Sequence, residues 1–232
     1  MKLIITLLIT FISINGICQN NAKVIYDVYF QGNFINNNKE NQEAKNYSSG
    51  VEENINKVKF QLLINNEVSI FKSIPRIKSE DENYGEKLAR LFAGEDEVFY
   101  RDNSKKTIIN SLEHEGVKYN LDLNFENIKW NLTTESKIIQ NLTCYKATWK
   151  YRNIDVIAWY CPSIPLSTGP REFGGLPGLI IELYRGKLSF IATKIELNVS
   201  ENKEVTLPLG KKISENELNI ILQQSMENLK NR

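Results

Sequence analysis

Two β-rich runs, residues 142–151 and 154–161, flank Arg152-Asn153, and the alternation along them admits one register. A hairpin centred on that pair joins positions whose numbers sum to 305, setting Lys150 opposite Asp155, Thr148 opposite Ile157 and Cys144 opposite Cys161 on one face. Tyr145, Ala147, Trp149, Tyr151, Ile154, Val156, Ala158 and Tyr160 then share the other, apolar face. A slip of one residue would mix the faces and part the cysteines. The chain must therefore contain a half-buried antiparallel sheet.

Other segments extend it. Lys23 to Phe30 reads as a strand, and Lys59 to Ile64 with Glu67 to Ile74 brackets an Asn65-Asn66 turn. From Glu97 come EVFYRD, KTIINSLEHEG and VKYNLDL, with Asn103-Ser104 and Gly116 as turn signals; Ile128 to Ile139 runs through Gln140-Asn141 into the cysteine hairpin. Leu179 to Tyr184 and Lys187 to Leu197 flank Arg185-Gly186, which predicts Leu183 paired with Leu188 and Ile181 with Phe190. Gly32 to Lys57 is a polar, Asn-rich loop with room for one helical turn. Two helices are expected. Asn83 caps a segment ending at Ala93, with Tyr84, Leu88, Leu91 and Phe92 near one face. Ser214 and Glu217 form a capping box, followed by Leu218, Ile221, Leu222, Ser225 and Leu229 at helical spacing. The fold class is mainly β with two helices, a curved antiparallel meander sheet.

The first residues predict export. Met1-Lys2 is a short basic region, and Leu3 to Ile14 is an apolar run too short to span a bilayer. Residues 1–18 read as a signal peptide cleaved after Cys18, with Gly16 at the small −3 position; Ile17 before Cys18 disfavours lipidation. Residues 19–232 then form a single β-rich domain, for which 232 residues at 41% hydrophobic content are enough to build one core. The expected location is the periplasm or cell envelope, or outside the cell, with no transmembrane segment after cleavage. In such a compartment the remaining pair, Cys144 and Cys161, predicts a disulfide.

Charge and composition exclude several functions. With 29 Lys and Arg against 28 Asp and Glu the chain lacks the basic excess needed to neutralise phosphates, so nucleic acid is not expected as a partner. One histidine and three cysteines leave little for a zinc site or a histidine-based triad, and no metal, cofactor or catalytic set is expected. In Glu113-His114-Glu115, strand alternation sends both carboxylates away from the histidine.

The segment Ala158 to Ile181 is the most distinctive. Pro162, Pro165, Pro170 and Pro177 stiffen it, while Gly169, Gly174, Gly175 and Gly178 permit close backbone approach. Its run Gly175-Leu176-Pro177-Gly178-Leu179-Ile180 resembles the eponymous motif of the GLPGLI family, exported bacterial proteins without an assigned activity. Trp130-Asn131-Leu132-Thr133, Lys137-Ile138, Cys144-Tyr145-Lys146-Ala147, Ala158-Trp159-Tyr160, Ile164-Pro165 and Gly169-Pro170 extend the resemblance over residues 128–182. It implies a half-barrel similar to that of lipoprotein carriers, and companionship with an outer-membrane transporter of the TonB-dependent type. Cys161 departs from what is expected of many relatives.

The loop itself reads as a corner entering the next strand, with Trp159, Arg171 and Phe173 beside Gly175, Leu176, Pro177 and Gly178 as candidate binding residues on its rim. The function expected is a non-catalytic envelope protein that binds an outer-membrane transporter or an apolar lipid or peptide ligand. Two alternatives are a carboxylate-dependent hydrolase or peptidase-like enzyme, which requires a polar cleft with convergent acids, and a secreted structural or adhesive protein, which requires an exposed apolar patch.

Overall fold

The computed structural model describes residues 21–30, 50–76, 83–124, 128–151 and 153–230. The leader expected at 1–18, most of the polar segment after β1, and Arg152 lie outside them.

Alternating apolar residues make the first meander: β1 (Ala22–Phe30), β2 (Lys59–Asn65), β3 (Val68–Ser73), β4 (Val98–Asp102), β5 (Thr107–His114) and β6 (Val117–Leu123). A second meander runs through β7 (Asn131–Ile139), β8 (Leu142–Tyr151), β9 (Ile154–Cys161), β10 (Leu179–Arg185) and β11 (Leu188–Leu197), and β11 pairs with the flank of β1 that β2 leaves open. The result is one open sheet of twelve strands, in the order β12-β6-β5-β4-β3-β2-β1-β11-β10-β9-β8-β7. Its short edge strand β12 (Lys211–Ile213) joins β6 in parallel, the one parallel pairing among the described strands.

Tight turns set the registers. Glu115-Gly116 and Gln140-Asn141 hold positive φ at both central residues, the twist that suits two-residue hairpins. The β8/β9 register is the expected one, with Tyr145 opposite Tyr160 and Lys150 opposite Asp155. The β10/β11 register is not: Leu183 faces Phe190 and Arg185 faces Leu188, because the turn is Gly186-Lys187, with Gly186 at φ 58°. Likewise Asn65 pairs with Val68, so that turn sits one residue later than read. Moving the β10/β11 turn by one residue changes the register sum by two, which keeps Leu183 and Phe190 on one face.

The sheet curls. On its concave side Phe60 and Phe71 stack, Tyr26 and Phe190 pack edge-on against them, and Ala147, Val156, Ala158 and Leu183 join from the other arm. Bulges at Ile25/Tyr26, Leu132/Ser136 and Ile180/Glu182 increase the local twist. Two helices add to this core. α1 (50–55) contributes Val51 and Ile55, and α2 (Tyr84–Ala93) contributes Ala89 and Ala93. Asn83 caps α2 as expected, accepting from the Glu86 N–H at 3.0 Å. Its buried face departs from the expected one in part: Leu88 packs against the core, but Leu91 is 73% exposed and Phe92 42%. Small residues face inward because the helices approach closely; a Cβ on Gly85 would stand 3.1 Å from the Gly50 Cα.

The third helix, α3 (Glu215–Lys230), docks through Leu218 against Leu121 and Ile213. The predicted capping box forms: the Glu217 N–H donates to Ser214 Oγ at 3.2 Å and the Ser214 N–H to Glu217 Oε2 at 2.8 Å. The Ser214 hydroxyl and N–H hold the Glu217 carboxyl below its usual range. A folded pKa below the unfolded one means that this contact supports the helix at neutral pH and is lost as pH falls through the folded value. Amide exchange over residues 215–221 is therefore expected to quicken on acidification. Ser214→Ala, costing about 1 kcal/mol of local helix stability, should quicken it at neutral pH and flatten the pH dependence. No helix among the described residues is long and apolar enough to cross a membrane.

Candidate functional site

Both ends of the 162–178 loop are pinned at one place. Cys161 closes β9, its carbonyl accepts from the Ile164 N–H at 3.1 Å, and the Leu179 N–H donates to the Ile164 carbonyl at 2.9 Å. Gly178 lies directly on that carbonyl; a Cβ there would be 2.2 Å from the Cys161 oxygen. Between its ends the loop folds back on itself through a Thr168/Gly174 bridge. Gly169 and Gly174 leave no room for side chains, the first against Ile180 and the second against the Arg101 guanidinium.

The loop makes the expected corner into β10, with Gly178 at the close approach, and its middle fills the curl of the sheet as a plug. Phe173 is 0% exposed and packs at 6.1 Å from both Trp130 and Trp149, while Leu176 is also buried. Loop polar groups reach both arms: Thr168 Oγ1 lies 2.8 Å from Ser69 Oγ, Trp130 Nε1 donates to the Gly174 carbonyl at 2.8 Å, and Tyr26 donates to the Ile180 carbonyl at 2.7 Å. Arg101 is buried beneath it, donating to Asn103 Oδ1 at 2.7 Å and the Glu172 carbonyl at 3.2 Å, and burial lowers its pKa to about 10.

The candidate residues separate. Arg171 lies within the curl, its φ at 55°, its guanidinium 4.6 Å over Phe99 and 3.0 Å from Glu97 Oε2, in space that Gly94 at the end of α2 leaves free. Phe173 and Leu176 are core. Trp159 stands on the opposite face of the sheet, where Lys137 Nζ lies 4.3 Å from its ring and 2.6 Å from Glu182 Oε2. Cys144 and Cys161 share that opposite face as buried thiols. The shared rim of Trp159, Arg171 and Phe173 anticipated in the sequence is thus replaced by an inward plug and a separate cluster behind it.

Beside the plug, the two arms flank a cavity of about 860 Å³ that is open to solvent on one side, within the size range of small-molecule sites. Its walls are Phe99, Ile108, Leu121 and Leu123 from β4 to β6, facing Trp149, Tyr151 and Ile154 from β8 and β9, with Arg171 and Glu172 of the plug also lining it. Lys212 to Glu215 and Glu217 also line it, among them the capping-box residues at the start of α3. Most of the charged groups here have partners: Lys212 with Asp122 at 3.5 Å, Arg171 with Glu172 at 3.4 Å, and Glu217 with Ser214. Arg171 Nε and Glu172 Oε2 lack a hydrogen bond but lie within ion-pair reach of each other, whereas Arg185 has no such neighbour among the described residues. It pairs in register with Val156 on the concave face, lines the cavity, and has a buried Nε without a hydrogen-bond partner among the described residues.

Sequence reasoning missed Arg101 and Arg185. Arg101 carried a signal, a cation at an inward position of EVFYRD. Arg185 did not, having been assigned to a turn.

No curated protein matches the chain. Two solved structures of PNGF-II, in space groups P21 and C2, are each 12% identical to it with a TM-score of 0.58, and the match covers 88% of this chain. It covers 33% of the PNGF-II chain, so this protein spans about a third of that length, and the likeness is one of fold. Residues 150–182, which run from the β8/β9 turn through the plug into β10, match the family described as a protein of unknown function (Porph_ging).

Proposed function

We propose that this protein is an exported binding protein of the cell envelope that holds an amphipathic ligand with an anionic head group in the cavity between its sheet arms. The supporting observation is Arg185. A buried guanidinium Nε without an acceptor leaves a hydrogen bond unmade, which a ligand's carboxylate or phosphate would supply. The walls of Phe99, Ile108, Leu121, Trp149 and Ile154 suit the apolar part of such a ligand. Of the carboxylates lining the cavity, Asp122, Glu172 and Glu217 contact Lys212, Arg171 and Ser214, which favours binding over carboxylate catalysis. The Met1–Cys18 leader supports export, and the resemblance to GLPGLI proteins supports a setting beside an outer-membrane transporter.

Native mass spectrometry of protein purified from its own envelope should find a retained acidic amphiphile. In titrations, a fluorescent long-chain fatty acid is expected to bind about 10-fold more tightly than its methyl ester, the value of one charge-assisted contact. Arg185→Gln should abolish that difference while leaving the ester's affinity unchanged. Failure of both probes to bind would overturn the cavity reading; equal binding of both to the wild type would overturn the anionic head group alone.

A further inference from the structure

Behind the plug, Cys144 and Cys161 are neighbouring buried thiols, Cys161 within hydrogen-bonding reach of Cys144. One step beyond the Tyr145/Tyr160 pair, the β8/β9 register brings them opposite each other. Both are fully buried, and Cys161 Sγ lies 2.9 Å from Ser163 Oγ. Cys161 is also the residue on which both ends of the plug converge, through Ile164 and Gly178. From these positions we infer that Cys144 and Cys161 form a disulfide whose closure fastens the root of the plug to the β7/β8 edge hairpin.

The oxidant is a protein dithiol–disulfide oxidoreductase of the exporting compartment. One cysteine thiolate attacks the oxidant's disulfide to give a mixed disulfide, and the second displaces the oxidant's sulfur. Both thiol protons are released, the Sγ–Sγ bond forms, and its two electrons leave the oxidant as a dithiol. Burial, together with the neighbouring Cys161, raises the Cys144 thiol to about 12. Folded Cys144 therefore offers little thiolate, and burial denies an oxidant access to either sulfur, so the bond closes before the core seals.

The test uses the full chain, leader included, isolated from its own envelope, acid-trapped, and alkylated in denaturant. Non-reducing peptide maps should show Cys144 linked to Cys161; two alkylated cysteines in the isolated protein would overturn the bond. A Cys144→Ala/Cys161→Ala variant is expected to melt roughly 5–10 °C lower. It should also be cleaved by trypsin after Arg171 about 10-fold faster, because cleavage there requires the plug to open. If the bond is present but the variant matches the wild type in melting and cleavage, the fastening role is overturned. Neither outcome depends on a ligand in the cavity.

Discussion

Gly178→Ala is expected to remove about 4 kcal/mol of stability, the upper end for single substitutions. The new Cβ would fall 2.2 Å from the Cys161 carbonyl oxygen and 2.8 Å from the Pro162 nitrogen, both backbone atoms held by the β9/β10 pairing. Nothing flexible stands in the way to yield. Gly175 provides the control: its φ of 81° is unfavourable for alanine, but a Cβ there meets only an Arg101 nitrogen at 3.6 Å. Gly175→Ala should thus cost about 1–2 kcal/mol from backbone strain alone. Chemical denaturation of the two variants checks the ranking, and equal losses would show that the close approach at Gly178 is relieved by movement of the loop.

Phe173→Ala is expected to cost about 3–5 kcal/mol, as truncation of a fully buried aromatic does. The ring is the point at which the plug grips the β7/β8 side, between Trp130 and Trp149, and its loss leaves a void that two indoles cannot easily fill. Phe173→Leu should recover most of the loss. A destabilisation under about 1 kcal/mol for the alanine variant would mean that the plug is not part of the core. For a surface corner both substitutions would be nearly silent, so this measurement decides between the two descriptions of the loop.

What could be read from the sequence was what short-range periodicity encodes. The β8/β9 register, the Asn83 cap and the Ser214/Glu217 box all follow from residues within a few positions of one another, and all are present. The face of α2 was only partly legible because hydrophobicity favours Leu91 and Phe92, whereas the Gly50/Gly85 approach admits only small residues where α1 and α2 meet. That approach is tertiary and leaves no local trace. The corner was legible but its inward course was not, for the same reason: prolines and glycines mark a fixed path, but whether the path runs outside or inside depends on Trp130, Arg101 and Ser69, which lie far away in sequence. Arg185 belongs to the cavity only because the sheet curls enough to bring β6 and β8 to the same space.

The place of β1 in the sheet also sets the order in which the protein can be completed. The strands from β1 to β6 pair with sequence neighbours and can zip up as they are synthesised. The other flank of β1, however, waits for β11, so Ala22 meets Leu197 and Phe30 meets Leu188 only when nearly the whole chain is available. Until then Val24, Tyr26 and Val28 lie along an unpaired edge, the kind of surface that recruits other strands. High contact order of this sort slows folding and lengthens exposure to aggregation. A chain interrupted before Leu188 would hold a complete half-sheet with a sticky central strand, which makes the last hairpin the step that commits the molecule to its native state.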